Sequence, residues 1–211
     1  MADIAPDSAP PHGEVAALVA IQSALGERPG ALAAARALSH FGEHSIGWLA
    51  VSAIGAILQP ARRRAWLVAG AGAFSAHAAA VLIKRLVRRP RPHHPAVAVN
   101  VGTPSSLSFP SAHATSTTAA SILLARATGA PLPVMLVPPM ALSRVLLGVH
   151  YPSDVATGVV VGAAVAAVAA RIDGRLTRSA TMRAVQLARG GGTSRLRGRD
   201  GRLTPAGGAG K

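Results

Sequence analysis

Residues 155–170 read VATGVVVGAAVAAVAA, an uncharged run built from small apolar side chains. A helix needs about 20 residues to cross a hydrocarbon core, and this run approaches that length. Its Ala and Gly make it only moderately hydrophobic, but they let helices pack closely in a bilayer. Four more apolar segments precede it. Residues 44–61 carry no formal charge and hold Trp48 near one end, as an interfacial aromatic would be. Residues 65–83 have only His77 as an ionisable group, and residues 112–125 follow a Pro-Ser pair. Residues 127–143 contain Pro131, Pro133, Pro138 and Pro139, a kinked helix that neighbours in a bundle can tolerate. The expected architecture is all-α, a polytopic transmembrane helical bundle of about five spans.

The composition agrees. Half of the 211 residues are apolar and 14% are charged, against about 25% in a soluble domain. The formal net charge is nevertheless +14. Such a surplus either flanks membrane spans and fixes their orientation or binds an anionic partner. The low aromatic content argues against base stacking, and no nucleic-acid partner is expected. Without cysteine there are neither disulfides nor thiolate metal sites. The N-terminus has neither a basic n-region nor an h-region, so no cleaved signal peptide is read.

Four regions follow. Residues 1–13 form a Pro- and Asp-rich leader expected to be disordered. Residues 14–43 hold two short helices, 14–25 and 31–41, separated by Gly26-Glu27-Arg28-Pro29-Gly30 and expected to lie at the interface. A single broken span is the rival reading. Residues 44–172 form the transmembrane domain. Residues 173–211 form a basic tail expected to be largely disordered. Arg62-Arg63-Arg64, Arg126 and the tail fall on one side when the spans are counted, and the positive-inside rule makes that side cytoplasmic. Lys84, Arg85, Arg88, Arg89 and Arg91 then fall on the opposite side, against the rule, as expected of charges that bind an anion.

Three blocks at span ends carry chemistry. In the first, Lys84, Arg88 and Arg91 are spaced i, i+4, i+7 and are expected on one helix face, which Pro90 and Pro92 terminate. They suit phosphate oxygens, although a basic helix end snorkelling to headgroups looks the same. In the second, Pro110-Ser111-Ala112-His113 reads as a helix start whose N–H groups could hold an anion, or as a plain cap. In the third, Ser143-Arg144 precedes His150 and Asp154. The four-residue spacing lets Asp154 accept the Nδ1–H of His150 and leaves Nε2 free to attack, although a helix-capping pair would space the same way.

Together the blocks resemble the signature of the type 2 phosphatidic acid phosphatase (PAP2) superfamily: K-x6-RP, PSGH and SR-x5-H-x3-D. Lys84, Arg91 and Pro92 match the first, and Ser143, Arg144, His150 and Asp154 match the third. The second departs at Ala112, where Gly is usual. The resemblance implies a membrane lipid phosphatase that needs neither cofactor nor metal. By it, Lys84, Arg91, Arg144 and Ser111 hold phosphate, His150 forms a phosphohistidine, Asp154 orients it, and His113 protonates the leaving oxygen and then activates water.

A narrower likeness lies in Ser39-His40-Phe41-Gly42-Glu43-His44, which is similar to actinobacterial members that act on decaprenylphosphoryl-5-phosphoribose in cell-wall arabinan synthesis. On the expected topology Glu43 and His44 lie at the catalytic face, where they could contact a headgroup such as a ribose, although their plainer reading is an interfacial helix cap. Competing expectations are an undecaprenyl diphosphate, phosphatidylglycerophosphate or phosphatidate phosphatase, and a non-catalytic membrane protein binding anionic lipid through its basic tail. A vanadium haloperoxidase shares the motif but is soluble and much larger. The expected location is the cell membrane, with the active site extracytoplasmic and the C-terminus cytoplasmic.

Overall fold

A computed structural model of the chain describes residues 10–197, which leaves residues 1–9 of the expected leader and 198–211 of the tail outside the described residues. The described residues form seven α-helices and no strand: α1 (Gly13–Leu25), α2 (Ala31–Gly42), α3 (Ile46–Leu58), α4 (Arg63–Val87), α5 (Ala112–Thr128), α6 (Leu132–Leu146) and α7 (Pro152–Arg197). The chain divides into two compact units, residues 1–170 and 171–211.

Helix ends follow local chemistry. Gly30 takes a left-handed φ of 80° ahead of α2, and Gly129 closes α5 with the same φ, a conformation costly for residues with a Cβ. The Ser111 hydroxyl accepts from Ala114 N and caps α5. Pro152 opens α7, where a missing N–H costs nothing.

Among the described residues, three helical stretches are long and apolar enough to cross a membrane: Ala31–Leu58, Pro60–Val87 and Pro152–Gln186. The first joins the segment expected at the interface (31–41) to the segment expected as a span (44–61). Their junction is a 3-10 turn, Glu43–Ser45, in which His44 and Ser45 have φ of 48° and 62°. α5 and α6, both counted as spans from sequence, have 17 and 15 residues, short of a full crossing.

α5 is instead the buried axis of the first unit. Its Thr115, Ser116, Thr117, Thr118 and Ser121 are all buried. Thr115 and Ser121 return their hydroxyls to the Ser111 and Thr118 carbonyls, and Trp48 Nε1 donates to Thr117 Oγ1 at 3.1 Å. Around it, Trp48, Trp66, Ala69, Ala73, Leu123 and Ala166 share one apolar cluster. A Cβ on Gly162 would strike the Thr115 carbonyl, so close contact between α5 and α7 depends on that glycine. Ile54, Ile57, Leu67, Phe74 and Val160 face outward, as lipid-facing side chains do.

α1 and α2 do not lie apart from this bundle. Leu18 is buried with Ala114, Val145 and Val155, and Ala35 with Leu146, Leu147 and Val149. The tail expected to be largely disordered from residue 173 continues as helix to Arg197. Its Ala, Leu, Met, Gln and Arg are good helix formers, so extending a helix already nucleated costs little. Arg171, Arg175, Arg178 and Arg183 are exposed on it.

Candidate active site

The expected face shared by Lys84, Arg88 and Arg91 does not form. α4 ends at Val87 because Arg88 adopts a left-handed φ of 56°. The loop then doubles back: Pro90 bridges Leu107, Arg91 N donates to Ser106 O, and Ser108 N donates to Arg89 O. This return brings Arg91 beside Lys84 by loop geometry and leaves Arg88 exposed. At the other side, Ser111 N donates to Asp154 O at 3.0 Å, tying the start of α5 to the start of α7.

These junctions enclose a cavity of about 460 Å³ lined by Lys84, Arg91, His113, Arg144 and His150. Glu43 and His44 line it as well. Ala112 and His113, as the first residues of α5, bring backbone N–H groups that have no intrahelical acceptor. Ser111 and Asp154 do not line the cavity: Ser111 spends its hydroxyl on the cap, and Asp154 is wholly buried behind His150. Sequence reading did not assign a role to His77, Arg85 and Ser39, which line the same cavity. His77 lies two turns before Lys84 on α4, and being the one ionisable group in residues 65–83 was its signal.

The cations are held by carbonyls. Lys84 Nζ donates to Leu107 O at 2.8 Å and Ser108 O at 3.3 Å. Arg91 donates from Nε to Ser105 O at 2.8 Å and from Nη1 to Val149 O at 2.6 Å. Burial draws its guanidinium down to about 10, partly offset by Asp154. Arg144 differs. It is 2% exposed, and its Nε and Nη1 have no hydrogen-bond partner among the described residues. Leaving a buried cation with unspent donors is costly, and an anion in the cavity would satisfy them.

His150 Nε2 lies 3.3 Å from Arg91 Nη1, and Nδ1 lies 3.7 Å from Asp154 Oδ2, at ion-pair distance and beyond a hydrogen bond. Burial first, then Arg91, Arg144 and Lys84, push His150 well below the usual imidazole value, so its ring is neutral near pH 7. His113 Nε2 sits 2.9 Å from Ser39 O, which places it as a donor to that carbonyl. Its edge packs so close to Gly42 that a Cβ there would lie 2.7 Å from Cδ2. Beside these, Glu43 Oε2 is 3.9 Å from His40 Nδ1, and the His44 and His77 rings are 5.8 Å apart. Among the described residues, no three His, Asp or Glu side chains are grouped to hold a metal ion.

Two buried cations, Lys84 and Arg144, and the half-buried Arg91 around one neutral imidazole that lines the cavity suit transfer of a phosphoryl group to nitrogen. The comparisons agree. Residues 65–178 match the family described as the PAP2 superfamily. The chain is 72% identical over 169 residues to the decaprenylphosphoryl-5-phosphoribose phosphatase of Mycobacterium tuberculosis, spanning 80% of this chain and 96% of that protein. It is 72% identical over 148 residues to the protein of the same name in Mycolicibacterium smegmatis, spanning 70% and 82%. A solved transmembrane PAP2-type phosphatidylglycerolphosphate phosphatase from Bacillus subtilis superposes with a TM-score of 0.61 at 20% identity, over 76% of this chain and 86% of that one, and shares its fold.

Proposed function

The chain belongs to the PAP2 superfamily, and we propose that it is an integral-membrane lipid phosphatase that removes the 5-phosphate of decaprenylphosphoryl-5-phosphoribose. The unsatisfied, buried guanidinium of Arg144 beside a neutral His150 is the observation that carries the reaction. The likeness of the mycobacterial relatives over most of their length carries the substrate.

Lys84, Arg91, Arg144 and the first N–H groups of α5 hold the phosphate oxygens and stabilise the charge spread over them in the transition state. His150 Nε2 attacks phosphorus, and the bond to the ribose oxygen breaks. The leaving oxygen takes the Nε2 proton of His113, which enters the step as imidazolium beside the bound phosphate anion and leaves it as the neutral ring, the ribose oxygen replacing the Ser39 carbonyl as acceptor. In the second step His113 accepts a proton from water, the hydroxide attacks phosphorus, and the P–N bond breaks to free phosphate and His150. Asp154 supports the positive charge of the phosphorylated ring. Ser111 serves by capping the helix that presents His113. Glu43 and His44 face the ribose, where a carboxylate can accept from hydroxyls.

The active site opens on the extracytoplasmic side and the C-terminus is cytoplasmic. The Arg62–Ala127 hydrogen bond of 2.9 Å supports this by joining the two basic turns at one end of the bundle.

Assays of the purified protein without magnesium, offering polyprenyl phosphoribose, polyprenyl diphosphate and phosphatidate, test the reading. The highest kcat/KM is expected for the phosphoribose lipid, with activity abolished in His150→Ala and His113→Ala. Full activity in both variants would remove the mechanism. A preference for phosphatidate would remove the substrate. Glu43→Gln is expected to lower kcat/KM for the phosphoribose lipid about tenfold, as for one lost hydrogen bond to a charged group, and to spare phosphatidate.

A further inference from the structure

Asp154 is wholly buried, and its charge is balanced by a residue outside the phosphate-binding set. Oδ1 accepts from Arg89 Nη1 at 2.9 Å, while Oδ2 accepts from Tyr151 N at 2.9 Å and faces His150 Nδ1. Arg89 is itself fixed from three sides. Nη1 also donates to Ser153 Oγ at 2.7 Å, Nη2 donates to Glu14 Oε2 at 2.7 Å, and the guanidinium stacks 3.9 Å over the Tyr151 ring. The other Glu14 oxygen accepts from Ser153 N at 2.8 Å. Glu14 therefore clamps both the arginine and the first turn of α7. Neither Arg89 nor Glu14 lines the cavity.

We propose that Arg89 and Glu14 are positioning residues for phosphoryl transfer: α1 sets the aim of the nucleophile from outside the part of the chain that matches the family. The inference rests on His150 being the nucleophile. A carboxylate with no solvent contact needs a fixed counter-charge, and Arg89 supplies it on the edge turned away from the histidine. That pins Oδ2 against His150, so the His150 ring keeps one tautomer and one orientation. Glu14 stops the guanidinium from swinging out, because an arginine on a loop is otherwise free to solvate. Glu14 stands only one residue inside α1, so the docking of this helix and the geometry of the dyad are one event. The Gln22 side chain reinforces that docking, donating to Ala98 O and Leu146 O and accepting from Ala98 N.

The test is a double-mutant cycle read by rapid-quench kinetics. Arg89→Ala is expected to slow phosphoenzyme formation and kcat about tenfold or more with KM nearly unchanged, the usual scale for losing a group that orients a reactive histidine. Glu14→Gln keeps the size of the side chain and the Ser153 contact, so it tests the same idea in a protein that retains its fold. Its expected loss in kcat is about threefold to tenfold, since a neutral amide holds the guanidinium less firmly. Arg89→Lys is expected to recover part of the rate. Both effects should vanish when the variants are built on Asp154→Asn, because each acts through that carboxylate. Losses that persist undiminished on Asp154→Asn, or a raised KM with kcat intact, would overturn the proposal. An active His150→Ala protein would instead overturn the mechanism beneath it.

Discussion

Arg144 reaches its place at the end of α6 with two donors unspent. A cation left so in a buried site is held for a ligand, and removing it should relieve the fold even as it disables the enzyme. Arg144→Met is therefore expected to lower kcat/KM about a hundredfold, the scale of losing a preorganised charge-stabilising donor. Its thermal midpoint in detergent should be unchanged or higher. A lower midpoint with full activity would contradict that role. At His150 the sign of the pH effect is set by burial and three nearby cations, which favour the neutral ring. The reactive form is present above the depressed pKa and lost as pH falls through it. NMR titration of the ring is expected to show no protonation on passing the ordinary imidazole value of about 6.5. A midpoint at or above that value would contradict the electrostatics. The spacing of the three blocks, read with the family resemblance, singled out Lys84, Arg91, His113, Arg144 and His150, which the fold gathers around one cavity. Spacing could not separate Ser111, whose hydroxyl turns to the helix cap, from residues that face the cavity.

Among the elements, α2 has a part in the chemistry that its sequence did not declare. It was read as an interfacial helix, yet its end seats His113, the proposed general acid: the Ser39 carbonyl meets His113 Nε2, and Gly42 packs against the ring edge. Gly42 has φ of −82°, which alanine adopts freely, so a methyl there tests space and not backbone strain. Gly42→Ala is expected to displace the imidazole and cut kcat about tenfold, the scale of partial loss of acid catalysis, with a normal far-UV CD spectrum. Unchanged kcat would show that His113 has room to move. Helix existence was readable from apolar runs and breakers, with α1 and α2 starting within one residue of expectation. Two ends were not. α4 stops because Arg88 turns left-handed, which a run of basic residues does not advertise. α7 outlasts its apolar pattern because helix propagation needs no apolar face once a helix has started.

At the scale of the molecule, the apolar helices of the first unit pack around a polar axis, α5, whose buried Thr115, Thr117 and Ser121 hydroxyls find partners inside the bundle. Counting apolar runs made α5 a lipid-facing span, since hydropathy cannot tell a helix wrapped by protein from one wrapped by lipid. The all-helical class followed from the same count, but the number of crossings did not: about five spans were expected, and three helical stretches among the described residues are long and apolar enough. A reporter active only outside the cytoplasm is expected to be active when inserted at residue 98 and silent at the C-terminus. The reverse pattern would invert the proposed orientation. Glu43 and His44 were expected at the cavity, but convergence of His77 on it, and of Glu14 on Asp154, was hidden because these residues are far from their partners in the chain and belong to different helices. On the proposed mechanism the phosphoryl group passes through His150. Rapid quench with substrate labelled in the departing phosphate tests it most directly. An acid-labile, base-stable phosphohistidine on the peptide containing His150 is expected, absent from His150→Ala. Turnover with no labelled protein at any time point, or label on another residue, would contradict it.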